Sequence, residues 1–136
     1  MKKINLITKV ERTPVLNLKG MIRVSKTEVR LPQGIQWEEL TVKPHAQLSV
    51  SDKQEDKATI WTARLAFKAC EPFPDRGHYA YRCRLFDGRC RLIGTDERPF
   101  PVVSVGESMP EKVTENQLPE VTITWQSPRF IPYIRE

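Results

Sequence analysis

Four arginines within ten residues, Arg82, Arg84, Arg89 and Arg91, are the side chains of this protein best suited to chemistry. A guanidinium is planar, always charged and forked, so it grips carboxylate or phosphate through paired hydrogen bonds, or stacks on a ring. Six of the 12 arginines fall between Arg76 and Arg98, and no lysine lies between Lys68 and Lys112. Charge meant only for solubility would not need that choice. The formal net charge of +5 permits anionic partners without demanding them. Three targets fit: carboxylates of the chain itself, with Glu71, Asp96 and Glu97 nearby in sequence; an acidic surface on another protein; and phosphate. Nucleic-acid readers add stacking aromatics to such rows, and only Phe86 falls on the arginine side.

Other reactive groups form weaker patterns. Cys70, His78, Cys83 and Cys90 bring four potential ligands into 21 residues, but with no CxxC or HxxxH spacing, so no metal and no cofactor is expected. An odd count of 3 cysteines does not suit a disulfide framework, and reduced thiols packed as small core residues are expected. His45 and His78 are the only histidines, neither within a nucleophile motif, and there is no glycine-rich phosphate loop. The acid pairs Glu38-Glu39 and Asp96-Glu97 are adjacent, so on a strand they point to opposite sides. The expectation is a protein without enzymatic activity, with Cys70 as the thiol to test for reactivity. A last candidate is an assembly arm at the C-terminus, where Phe130, Ile131, Tyr133 and Ile134 form an apolar strip interrupted by Pro132. That strip requires burial, either along its own sheet or on a neighbour.

The elements that must hold these groups are strands. In Tyr79 to Gly94, YAYRCRLFDGRCRLIG, two alternating runs meet at Asp87-Gly88, a dipeptide that accepts the positive φ values of a two-residue type I′ turn. Such a turn pairs Leu85 with Cys90, Arg84 with Arg91 and Cys83 with Leu92. Tyr79, Tyr81, Cys83, Leu85, Cys90 and Leu92 then share one face, and the four arginines share the other. A three-residue loop with a bulge at Gly88 would slip the pairing by one and put Cys90 and Leu92 among the arginines. The apolar pattern favours the shorter loop.

Elsewhere, Ile4 to Val10 alternates as a strand up to Pro14, and Val15–Leu18 with Met21–Val24 around Lys19-Gly20 suggests a second hairpin. A helical turn could sit at Trp37–Leu40. Gln47–Val50 and Ala58–Lys68 flank a wholly polar run, 51–57, expected to be a loop, and Trp61, Ala63, Leu65 and Phe67 share one face of the second strand. Val102–Val105 and Val121–Trp125 complete the strands, with residues 106–118 as a long loop. Together these predict an all-β fold: a single-domain antiparallel sandwich or partly open barrel of about seven short strands, residues 1–126, followed by an extended proline-rich arm, residues 127–136. The 11 prolines, about 8% of the chain against a usual ~5%, agree with extended segments and loops. No run approaches the roughly 20 apolar residues of a membrane-spanning helix. The first residues are too short and polar an apolar core for a signal peptide, so a cytoplasmic protein with no membrane partner is expected.

Leu92 to Pro101, LIGTDERPFP, resembles in style small proteins carried by bacterial prophages and mobile elements. That resemblance points to no single family; what it implies is a role in virion or tail assembly. The expected function is therefore that of a non-enzymatic structural, assembly or protein-interaction protein, binding itself or another protein through Arg82, Arg84, Arg89 and Arg91 and through the arm. The alternative is a nucleic-acid-binding β module that uses the arginine-rich hairpin.

Overall fold

Alternation of apolar and polar residues drives the chain into extended strands. The computed structural model describes residues 2–42, 46–69, 78–106 and 120–135 and gathers their strands into one open sheet. In chain order these are β1 (Lys2–Pro14), β2 (Ile22–Arg23), β3 (Glu28–Arg30), β4 (Glu38–Leu40), β5 (Ala46–Glu55), β6 (Ala58–Lys68), β7 (Tyr79–Leu85), β8 (Cys90–Ile93), β9 (Val102–Gly106), β10 (Glu120–Ser127) and β11 (Tyr133–Ile134). Their spatial order is β2-β3-β11-β8-β7-β1-β5-β6-β10-β9, with β4 paired to the later part of β1. The all-β expectation holds. Among the described residues there are eleven strands rather than about seven, because β2, β3, β4 and β11 are only two or three residues long. Among the described residues there is no α-helix, and no helix is long and apolar enough to cross a membrane.

β1 organises the rest. Its first half pairs with β5, from Lys2↔Ser51 to Ile7↔Ala46, and its second half pairs with β7 up to Pro14↔Tyr79. The register shifts between Ile7 and Lys9, a bulge that bends and twists the strand. The sheet then coils back on itself. Laid flat, β11 and β6 would be five strand spacings apart, about 24 Å, yet the rings of Trp61 on β6 and Phe130 just before β11 are 4.9 Å apart. Inside the coil, Leu48, Leu65 and Ile123 from one half join Val10, Cys83 and Ile93 from the other in one buried cluster. A smaller core of Val15, Leu18, Val29, Ala80 and Leu92 forms a second buried cluster, so the β7–β8 hairpin contributes to both.

Several local expectations are corrected. Val15–Leu18 is a 3₁₀ turn rather than a strand. Pro14, with φ −56°, starts the turn, the Asn17 side-chain amide donates to Thr13 Oγ1 at 2.8 Å, and the turn buries Val15 and Leu18. Glu38–Leu40 is strand β4, not a helical turn. The polar run 51–57 is mostly strand. The β5–β6 ladder continues to Glu55↔Ala58, and only Asp56 and Lys57, with φ of 46° and 68°, form the bend. Its polarity reflects a ribbon end that projects beyond the core, not a loop. Trp61, Ala63, Leu65 and Phe67 do face the core. The long loop expected at 106–118 falls, after Gly106, outside the described residues.

One glycine is required by space as well as by conformation. Gly94 has φ +105°, and a Cβ there would sit 2.9 Å from Pro101 Cγ and 3.3 Å from Ala80 Cα; Gly34, at φ +83°, has nothing within 4 Å. Gly94→Ala is expected to lower the unfolding free energy by roughly 2–4 kcal/mol and Gly34→Ala by about 1 kcal/mol. Urea denaturation of the two variants measures the difference, and equal losses would mean that the Gly94 contact is unimportant.

Candidate functional site

The hairpin turn is not the predicted one. Gly88 N–H donates to Leu85 O at 3.0 Å and Leu85 N–H to Arg89 O at 2.7 Å, while Gly88 takes φ +92° and the Asp87 carboxylate accepts the Arg89 N–H at 3.0 Å. Phe86, Asp87 and Gly88 therefore make a three-residue loop with a glycine bulge, which slips the register to Arg82↔Leu92, Cys83↔Arg91 and Arg84↔Cys90. The four arginines do not share a face. Arg91 lies opposite Cys83 on the main-core side, whereas Cys90 and Leu92 lie on the side of Arg82 and Arg84, and Cys83 and Cys90 are on opposite faces rather than one. Alternation misled because all four residues of β8 are buried, so its sequence carries no record of which face is which.

Each arginine then has its own surroundings. Arg82 donates from Nε and Nη2 to both oxygens of Glu11, at 3.0 and 2.7 Å, and its guanidinium lies 4.5 Å from the centre of the Trp37 ring. Glu11 stands directly opposite it in the ladder. Arg89 bonds Asp87 at 3.1 Å and covers the Tyr133 ring at 4.3 Å. Arg84 is exposed, opposite Lys9, with no ion pair among the described residues. Arg91 is 2% exposed. Its Nε and Nη2 both donate to Ile131 O at 3.2 Å, with the rings of Tyr133 at 4.5 Å and Phe130 at 5.1 Å. Burial lowers the Arg91 pKa from its ordinary value, and the neighbouring Tyr133 works against that shift.

The arm residues occupy a slot in their own sheet. Ile131 is fully buried in the main cluster, Phe130 packs on Trp61, and Tyr133 and Ile134 form β11 between β3, to which it is parallel, and β8. Leu92 N–H donates to Pro132 O at 3.0 Å, Tyr133 N–H to Thr27 O at 2.8 Å and Arg135 N–H to Val29 O at 2.8 Å. An Arg135–Glu28 ion pair of 2.7 Å closes the far side. Of the acids expected to meet the arginines, Asp96 and Glu97 make no ion pair among the described residues, and Glu71 lies outside them. The acids that do so, Glu11 and Asp87, gave different signals: Asp87 was visible as a turn residue, while Glu11 is 71 positions from Arg82 and had none.

The remaining candidates separate in space. Cys70 and His45 lie outside the described residues. His78 is exposed and stacks on Phe100 with ring centres 4.3 Å apart. Cys83 and Cys90 are free and buried, and burial pushes the Cys83 thiol far above its usual pKa. No group of three or more His, Cys, Asp or Glu is placed to hold a metal among the described residues. A pocket of about 490 Å³ lies where the hairpin loop meets β3 and β11, but its charged groups are already engaged, Arg89 with Asp87 and Glu28 with Arg135. Comparison with protein-family models, curated proteins and solved structures found no match to this chain.

The Arg91 contact sets a measurable order of opening. Arg91→Met retains an apolar stem but no donors, and is expected to lower stability by about 2–4 kcal/mol. In hydrogen exchange, the amides of Leu92, Tyr133 and Arg135 should lose protection before those of the β5–β6 hairpin; uniform loss would show that the arm is not a separate unit. Tyr81 gives a pH signature. Burial raises its phenol from the ordinary 10.0 to about 12, against a smaller opposing effect of Arg12. The folded state thus favours the neutral phenol, a preference fully present below pH 10 and lost as pH rises toward 12. Stability should fall by roughly 2–3 kcal/mol over that window. Tyr81→Phe should remove this part of the slope in denaturation curves taken at several pH values.

Proposed function

We propose that this protein is a non-enzymatic assembly and protein-interaction domain that joins other chains along the ends of its sheet. The observation that carries this reading is the open sheet: the end strands β2 and β9 are not paired with each other. Each displays a large apolar side chain, Ile22 at 60% and Val102 at 66% exposure. An end strand without charge or proline is a template for strand addition, and Val102–Gly106, VVSVG, has neither. Phe130, Ile131, Tyr133 and Ile134 are engaged within their own sheet, so the arm enters assembly by exchange, one copy's β11 taking the slot between β3 and β8 of the next. The resemblance of Leu92–Pro101 to prophage-borne proteins is in keeping with such a role. A nucleic-acid module built on the hairpin is the weaker reading, since Arg91 is buried and Arg82 is paired with Glu11.

Sedimentation velocity at two salt concentrations tests the proposal. A species larger than the monomer is expected at both, because strand addition depends on backbone bonds and apolar contact rather than surface charge. Val102→Lys with Ile22→Lys should remove the edge-to-edge species, leaving nothing larger than an arm-exchanged form. A monomer throughout the concentration range, or assembly unchanged in the double variant, would overturn the edge-to-edge reading.

A further inference from the structure

We infer that Leu6, Phe86, Lys9 and Arg84 form a docking surface for an acidic partner protein, with Phe86 as its anchor. The ladder brings the four together. Lys9 is directly opposite Arg84, and Ile7 opposite Leu85, which places Leu6 and Phe86 one step further along the same pair of strands. Ile7 and Leu85 face the core, so Leu6 and Phe86 face outward, at 46% and 80% exposure. Nothing in the loop's own geometry calls for an aromatic at Phe86: the bend is made by Gly88 and by the Asp87 carboxylate on the Arg89 N–H. Large apolar side chains left in water beside one another, one of them in a loop that does not need it, mark an interaction site.

Charge identifies the occupant. Lys9 and Arg84 are like charges directly across a ladder, a destabilising arrangement that a carboxylate from outside would relieve. Neither has an ion pair among the described residues, and Asp87 beside Phe86 is engaged by Arg89. Outward-facing positions on the adjoining strands add Gln47, Ala66 and the exposed Arg64, which stands opposite Ser49 and Thr124. A second copy is a poor fit, because two-fold pairing through this patch would bring Lys9 and Arg84 against their own counterparts. A base-stacking platform is also a poor fit, since the neighbour of the single ring is the aliphatic Leu6. An acidic protein surface with an apolar socket satisfies both halves of the patch.

This inference rests on the interaction-domain reading but not on edge-to-edge assembly. The full chain is titrated at low ionic strength against three labelled probes, a glutamate–tyrosine copolymer, a glutamate homopolymer and an oligothymidylate, and fluorescence anisotropy is read. The copolymer should bind most tightly. Phe86→Ser, at an exposed position, should weaken it by about tenfold, and Lys9→Gln with Arg84→Gln should flatten the salt dependence, while Arg30→Gln on β3 changes neither. No binding of the copolymer, equal binding of the homopolymer, tighter binding of the oligothymidylate, or an unchanged Phe86→Ser variant would each overturn the proposal. A monomer that binds the copolymer overturns assembly and leaves this surface standing; an assembling chain that ignores the copolymer does the reverse.

Discussion

A buried guanidinium holds this sheet together in its middle. A cation taken out of water costs several kcal/mol unless its surroundings replace the lost hydration. Arg91 achieves this without a carboxylate among the described residues: Ile131 O accepts two of its N–H groups, and the negative faces of Tyr133 and Phe130 lie against it. All three of those groups belong to the arm. The hairpin therefore needs the arm to solvate Arg91, and the arm needs the hairpin for donors. Because β11 is also what connects β8 to β3, the β2–β3 end of the sheet depends on the same contact.

That contact exists only because the hairpin loop has three residues. A two-residue turn would place Arg91 opposite Arg84 on the other face and turn Leu92 inward, leaving Ile131 O without its partner. Gly88 at φ +92° makes the bulge, the bulge sets the register, and the register delivers Arg91 to the core side. A one-residue bulge at the surface thus decides which of four similar arginines is buried, three positions further along the chain.

How much of this could be read in the sequence follows from the same physics. Strands with one wet face were legible: Trp61, Ala63, Leu65 and Phe67 alternate with Thr62, Arg64 and Ala66 and face as expected. β8 was not, because its two faces meet two different cores and period-two patterning vanishes when nothing is wet. Asp-Gly located the loop between the strands but did not set its length, since glycine with positive φ serves both turn types. The ion pairs were hidden for another reason. Arg82 with Glu11, Arg12 with Glu38 and Arg135 with Glu28 join segments far apart in the chain, and nothing local foretells which acid a coiled sheet brings to which base. The arm's need for burial was visible in Phe130 to Ile134, whereas its slot was not, because a two-residue strand has no period to read.

The bulge at Thr8 links the closing of the core to the character of the outer surface. In an unbroken strand Leu6 and Lys9 would face opposite ways. The shift between Ile7 and Lys9 turns both Ile7 and Val10 into the core, and so leaves Leu6, Thr8 and Lys9 along the outside of one bend. Removing the bulge would straighten β1 and send either Ile7 or Val10 into water, at a cost comparable to losing a core side chain. The basic and apolar groups that lie side by side at this bend are therefore a consequence of how the sheet curls, and the fold holds them there for as long as it keeps its main core closed.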